Sequence, residues 1–364
     1  MVNKIEVDLN ALTHNVAIIK KHIYPETKII GVVKANAYGH GLVETARVIW
    51  TSGVDILATA TLEEAIALRV SRIKAPILVL GYVEPSEFWK AIDFDITLTI
   101  FDFESAYKLA REAKKQNRWA RIDVAVDTGM NRYGFPTYEV LDIFQKIYKL
   151  EHLKIEGMHS HFADPEDKEF SRNQIKQMQN VLFSFQQMKI PIPMVHMAAT
   201  KAIFLHPEAQ FDAVRPGIGL YGYSGIEGNS ELKPALELKS KIVALRRVGK
   251  DETVGYQRTY VAKGPRKIAV IPLGYADGYP RALSNKASVL VNGTRAKIAG
   301  IVSMNAIMVD VTGIKCSLND EVVLIGSQGN GMVNADELAK LAQSNVCEIL
   351  SRLPREIPRE YHFK

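Results

Sequence analysis

Cysteine is nearly absent: the 364 residues include two, Cys316 and Cys347, with no paired metal-ligand spacing. That argues against a disulfide framework and against a cysteine-based zinc site, and it suits a reducing cytoplasm. No apolar run reaches the length that spans a bilayer, so no membrane partner is expected. The opening Met1-Val2-Asn3-Lys4-Ile5-Glu6-Val7-Asp8 lacks the apolar core and small-residue cleavage site of a secretory leader. Blocks of one charge sign are missing too. The formal charge is +6, but the basic residues are scattered, and Arg246-Arg247 and Lys263 to Lys267 have interrupting neighbours. A nucleic-acid stripe is therefore not expected, while attraction of an anionic cofactor or substrate is compatible with the balance. There is no internal repeat, no low-complexity segment, and no Gly-rich dinucleotide or P-loop fingerprint after the first strand-like run.

What is present is a regular alternation. Short runs rich in Val and Ile occur at Lys28 to Val33, Asp55 to Thr59, Pro76 to Gly81, Asp95 to Ile100, Arg121 to Val126, Lys154 to His159, Pro193 to Met197 and Phe211 to Val214. Such runs suit strands buried on both faces. Helical patterns lie between them, as at Leu62 to Ser71, Phe103 to Gln116, Tyr138 to Leu150 and Phe170 to Gln187. Thr61 with Glu64 reads as a capping box, and Thr137 as an N-cap. Eight strand–helix units predict an α/β fold, a (β/α)8 TIM-type barrel over residues 1–230. The missing nucleotide fingerprint disfavours the rival, a doubly wound open sheet.

Beyond Gly225 the rhythm changes to strands without long helices: Leu236 to Val248, Lys267 to Leu273, Ala287 to Val291, Ala296 to Val302 and Ile307 to Val311. Asn292-Gly293 between two of them signals a type I′ hairpin. Asn334 and Glu337 cap a short helix over Ala335 to Gln343. Residues 231–364 are thus expected to form a mostly antiparallel β domain, joined through the Gly-, Asn-, Ser- and Pro-containing stretch Ser224 to Pro234.

Barrel enzymes carry their chemistry at the C-terminal ends of the strands. Those ends supply Lys34, Tyr38, Thr59, Asp127, Arg132, His159, His161, His196, Thr200 and Arg215. Lys34 follows a buried-looking run, so it is either a lysine snorkelling to solvent or an amine made nucleophilic by desolvation. His159-Ser160-His161 has the spacing of a metal-binding pair, with His196 and Asp127 as available partners. The neighbouring arginines oppose a dication, and no metal is expected. The glycines of Arg215-Pro216-Gly217-Ile218-Gly219 make either a phosphate cradle or simply a tight turn. Tyr256 and Tyr275 read as half-buried packing residues unless cationic neighbours lower a phenol.

Taken together, these segments resemble the alanine racemase family over nearly the whole chain. Val33 to Gly41 is similar to that family's pyridoxal-phosphate lysine signature. Asp127 to Arg132, Ser160 to Ala163, Arg215 to Gly219, Gly255-Tyr256, Gly274 to Gly278 and Ser303-Met304 follow in the family's order. The resemblance implies racemisation of a small amino acid, L-alanine to D-alanine foremost, in a homodimer whose active site is shared between chains. It further implies supply of D-alanine for a bacterial wall. Lys34 would bear pyridoxal 5'-phosphate and act as one base, and Tyr256 from the partner chain as the other. His161 would sit near Tyr256 and relay to Arg215. Arg215 would face the pyridine nitrogen and, being reluctant to give up a proton, disfavour transamination and decarboxylation. Arg132 would contact the cofactor's phenolic oxygen and, with the backbone N–H of Met304, the substrate carboxylate. Tyr38, Thr200, Gly217 and Ile218 would hold the phosphate, and Tyr275 would narrow the substrate entry.

The sequence departs from the family pattern at four places. Ala125 stands where many members have a lysine that becomes carbamylated, Ala199 where Asn is common, and Asn305 where Asp is usual. Ser351 replaces a tyrosine that usually touches the phosphate and crowds the side-chain pocket. It leaves room and a hydroxyl, so some acceptance of serine or larger amino acids is expected. The competing readings are a pyridoxal-phosphate decarboxylase, a non-catalytic pyridoxal-phosphate-binding protein and a metal-dependent hydrolase on a barrel. Cys316 and Cys347 sit poorly for the first, and the long second domain argues against the second.

Overall fold

A computed structural model describes residues 2–226, 228 and 231–363. Residues 229 and 230, at the end of the expected barrel segment, lie outside the described residues, as do Met1, residue 227 and Lys364. Eight parallel strands form a closed ring: Lys28–Val32, Ile56–Thr59, Ile77–Val79, Thr97–Ile100, Ala120–Asp127, Leu153–His159, Val195–Ala199 and Ala213–Arg215. Pairing of Ala213 with Lys28 and of Leu98 with Ile122 closes the ring without a free edge. All eight runs read from the sequence are barrel strands.

Local chemistry starts the helices where expected. The Thr61 hydroxyl accepts the Glu64 N–H at 3.3 Å to open Leu62–Val70. Asp102 and Asp167 cap Phe103–Lys115 and Lys168–Gln187 in the same way. Two details differ. The Glu64 carboxylate accepts from Ala60 N rather than from Thr61 N. The helix expected to start after Thr137 runs over Val140–Tyr148 behind Glu139, without a side-chain cap.

The second sheet is mostly antiparallel and packs into the same apolar core as the barrel. Its hairpin turns at Asn292 and Gly293, both at positive φ, with Val291 opposite Thr294. The Asn334 cap of Ala335–Ala342 is also present. Lys4–Asp8, which precedes the barrel in the chain, is a strand of this second sheet, between Leu236–Lys241 and Arg359–His362. The chain then enters the barrel through Asp8, whose carboxylate caps Leu9–Lys21. Buried Asn15 ties that helix to the linker, donating to Leu220 O and Lys233 O and accepting from Lys233 N.

Candidate active site

Strand Lys28–Val32 delivers Lys34 through an uncommon turn. Ala35, Asn36, Ala37 and Tyr38 all hold φ between 51° and 55°, one turn of left-handed helix without a glycine. Each such residue costs roughly 1–2 kcal/mol, so the surroundings must impose the conformation. Several contacts do so. Buried Glu64 accepts Asn36 N at 3.0 Å, Asn36 Oδ1 accepts Leu42 N at 3.0 Å, and Arg359 donates twice to Gly39 O. The His40 ring lies 4.6 Å from that of Tyr221. Lys34 itself is half-buried. Burial, and next the nearby Arg132 cation, lower its amine pKa below the ordinary lysine value.

Around Lys34 a cavity of about 730 Å³ opens at the barrel mouth. Tyr38, Arg132, His161, Thr200, Arg215, Gly217 and Ile218 line it. Thr200 Oγ1 accepts both Gly217 N (3.1 Å) and Gly219 N (3.0 Å), which leaves its own hydrogen free to donate into the cavity. A Cβ on Gly217 would lie 2.5 Å from Tyr38 Oη, so only glycine lets the phenol and this backbone meet. Burial keeps the Tyr38 phenol protonated and able to donate.

Arg132 arrives on a loop shaped by Asp127, whose Oδ1 accepts Gly129 N and Asn131 N. Its guanidinium lies 5.9 Å from the Tyr133 ring centre, and that ring stacks on Phe101 at 4.7 Å. Arg215 is buried. Nη1 donates to His196 Nδ1 (2.5 Å) and His196 O (2.8 Å). Nη2 donates to Ser160 O (2.5 Å), His161 Nδ1 (3.1 Å) and Met197 O (3.1 Å). Its four terminal hydrogens are thus directed at protein acceptors, which leaves Nε–H for the cavity. Burial, then Arg215 and Arg132, hold His161 well below the usual imidazole range, hence neutral.

The histidine pair does not converge on one point. His161 lies past the strand end and meets Arg215, whereas His159 meets Asp123. Asp123, His159 and His196 place three ligand-type atoms within 4.8 Å of one another, but hydrogen bonds engage them, with Arg215 on the far nitrogen of His196. Asp127, the carboxylate read as a partner for that pair, shapes the Arg132 loop instead.

Four of the expected residues do not line this cavity within one chain. Tyr256, 69% exposed, follows the left-handed Gly255 in a loop resting against Gly300 and Ile301. Met304 is 55% exposed, and Tyr275 N donates to Ser303 O at 3.0 Å, so their loops are knitted together. Ser351 is exposed at the end of helix Val346–Ser351, while Cys347 of that helix reaches the cavity wall.

Residues 7–225 match the family described as alanine racemase, N-terminal domain, and residues 235–361 match alanine racemase, C-terminal domain. The chain belongs to the alanine racemase family. Alanine racemase 2 of Caldanaerobacter subterraneus subsp. tengcongensis is 39% identical, covering 99% of this chain and 95% of the relative. The solved alanine racemase of Clostridium difficile 630 has a TM-score of 0.92 at 34% identity, covering 100% of this chain and 96% of that one. Another, from Bartonella henselae with covalently bound pyridoxal phosphate, has a TM-score of 0.89 at 28% identity and full coverage of both chains.

Sequence reasoning missed the place that three residues take at this site: Glu64, read only as half of a capping box, Cys347 and Asp123. Asp123 had a signal: a carboxylate in the middle of the otherwise apolar run Ile122 to Val126 must find partners inside the barrel.

Proposed function

We propose that the protein is a pyridoxal-phosphate-dependent isomerase that interconverts L- and D-alanine with two bases, Lys34 and Tyr256 of the partner subunit. The observation that carries this reading is a half-buried lysine of lowered pKa sharing one cavity with Arg215, Arg132 and the Tyr38–Thr200–Gly217 cradle. The residues fit the cofactor: the Gly217 backbone and the Tyr38 and Thr200 hydroxyls form a pocket for phosphate that a Cβ would fill. Ile218 completes the cradle, and Ser351 is read as a further contact from the helix that brings Cys347 to the cavity wall. Bound pyridoxal phosphate supplies an electron-withdrawing ring that weakens the substrate's Cα–H bond.

The chain's residues do the rest. Lys34 is both the attachment point and a base, its amine favoured in the neutral form by burial. Tyr256 works from the opposite face, so one base removes the α-proton and the other returns one from behind. His161 keeps its proton on Nε2, because its Nδ1 accepts from Arg215, and it links that arginine to the tyrosine. Arg215 would present its Nε–H, the one donor not engaged by protein acceptors, to the ring nitrogen and stay a cation. Arg132 and the Met304 N–H hold the substrate carboxylate, and Tyr275 narrows the entry. Exposure of Tyr256 and Met304 on joined loops supports a head-to-tail homodimer in which those loops cover the partner's cavity. Supply of D-alanine for a cell wall, in the cytoplasm, completes the reading, and its two free thiols suit that compartment.

Purified protein is expected to show a visible cofactor absorbance that borohydride abolishes, and to exchange the α-proton of alanine in heavy water. A colourless protein, or a coloured one without exchange, overturns the assignment. A second reading extends the range to serine. Ser351 is small and exposed, so this helix presents no bulky ring at that position. Turnover of alanine, serine and lysine compared side by side decides it, and strict preference for alanine removes it.

A further inference from the structure

Asp123 lies below the mouth cavity, in the middle of strand Ala120–Asp127, 1% exposed between Ile122 and Val124. Across the ladder stands Gly157, where a Cβ would come within 2.6 Å of Asp123 Oδ2, so the glycine makes room for the carboxylate. His159 and His196, paired on the neighbouring strands, stack at 5.1 Å. Each meets one oxygen: His159 Nδ1 donates to Oδ1 at 2.5 Å, and His196 Nε2 to Oδ2 at 3.0 Å. Burial alone would raise this carboxyl's pKa, but His196 and then His159 hold it well below the usual range.

The direction of each hydrogen follows. An ionised carboxylate only accepts, so His196 carries its hydrogen on Nε2. Burial lowers the pKa of His196 to about 4, so at neutral pH its Nδ1 is bare. That bare nitrogen faces Arg215, which can only donate. Asp123 and Arg215 therefore form a buried ion pair with one imidazole between them. At the other end of the barrel Arg121 is already paired with Asp95 and Glu156, so it does not neutralise Asp123. Above, Arg132 only adds positive charge near Arg215.

We propose that Asp123 is a positioning residue for the racemisation: through His196 it supplies the counter-charge of Arg215 and fixes the guanidinium with Nε–H toward the cavity. The inference rests on Arg215 facing the cofactor ring.

The test is ¹⁵N-histidine NMR of the full chain, cofactor-free and loaded, for the wild type and Asp123→Asn, which keeps the size and one acceptor but removes the charge. In the wild type, His196 is expected with Nε2 protonated and Nδ1 bare. In D123N its signals should move toward a mixture of tautomers, and the visible absorbance of the loaded protein should shift. kcat for alanine should fall about tenfold, with KM within about twofold, the pattern of a contact stronger in the transition state. A wild-type His196 protonated on Nδ1 overturns the proposal even if D123N fails to fold. D123N with the tautomer, absorbance and kcat of the wild type overturns it as well. Arg215→Lys separates the two readings. An unchanged absorbance there refutes the placement of Arg215 at the ring, while the cofactor-free histidine signals still decide the role of Asp123.

Discussion

Glu64 accepts the backbone N–H of Asn36 at 3.0 Å, so the first turn of helix Leu62–Val70 holds the left-handed turn that follows Lys34 on the neighbouring strand. The same carboxylate accepts Ala60 N at 3.2 Å. Glu64→Ala would strand both donors next to four residues already in a costly conformation. A stability loss of about 2 kcal/mol is expected, within the range for unpaired buried donors. Denaturant unfolding of the cofactor-free protein measures it. Retention of bound cofactor should drop too, because the turn aims Lys34; unchanged stability and retention would show the turn to be self-supporting.

Gly217→Ala should weaken cofactor binding by tenfold or more while the fold survives. The new methyl group would meet Tyr38 Oη at 2.5 Å and Tyr38 Cζ at 3.2 Å. Adding Tyr38→Phe removes the nearer atom, so the double variant should recover part of the loss relative to G217A. Equilibrium dialysis of pyridoxal phosphate against the three variants gives the coupling. Simple additivity of the two single losses would mean that the clash is not the cause.

Lys34 sets a pH dependence with a definite sign. Burial and then Arg132 lower its pKa from the model-peptide value of 10.5. The folded cofactor-free protein therefore binds fewer protons there than the unfolded chain between the lowered pKa and the ordinary one. In that window stability rises with pH, and the cost of burying the charged amine is fully present below it. Capture of added pyridoxal phosphate needs the neutral amine, so its rate should rise through a midpoint below 10.5. Arg132→Ala should move that midpoint upward. Stopped-flow absorbance against pH follows both, and a midpoint at or above 10.5 in the wild type would contradict the burial argument.

Much of the fold could be read from the chain because period and composition agreed. Lys28 to Val33 or Pro76 to Gly81 can hardly be anything but buried strands, and Asn292-Gly293 offers few options besides a tight hairpin. Lys4–Asp8 escaped because five residues with Glu6 in the middle do not announce which sheet they join; pairing with Arg359–His362 is decided more than 350 residues away. The Lys34 turn was invisible for another reason. Ala-Asn-Ala-Tyr contains no glycine, and the conformation is imposed by Glu64, Arg359 and Tyr221 from elsewhere in the fold. The site was legible wherever a side chain stood at a strand end, as for Arg132, His161 and Arg215. It was illegible for Asp123, four residues before the strand's mouth end at Asp127, whose role depends on the absence of a side chain at Gly157.

A mixing experiment tests whether the site is shared between copies. Lys34→Ala and Tyr256→Phe should each be nearly inactive as pure proteins, because every site lacks one base. In a mixed dimer, however, the intact Tyr256 of the K34A chain faces the intact Lys34 of the Y256F chain, and the second site collects both lesions. Random re-association in equal amounts makes about half the dimers mixed, each with one good site, so activity should recover to about a quarter of wild type for a two-fold symmetric pair. Dilution that separates the copies should abolish the gain. Recovery cannot arise if Tyr256 reaches the cavity of its own chain, since each variant would then carry its lesion into every site. Its exposure, with Met304 beside the same joined loops, is what makes the shared arrangement the expected result.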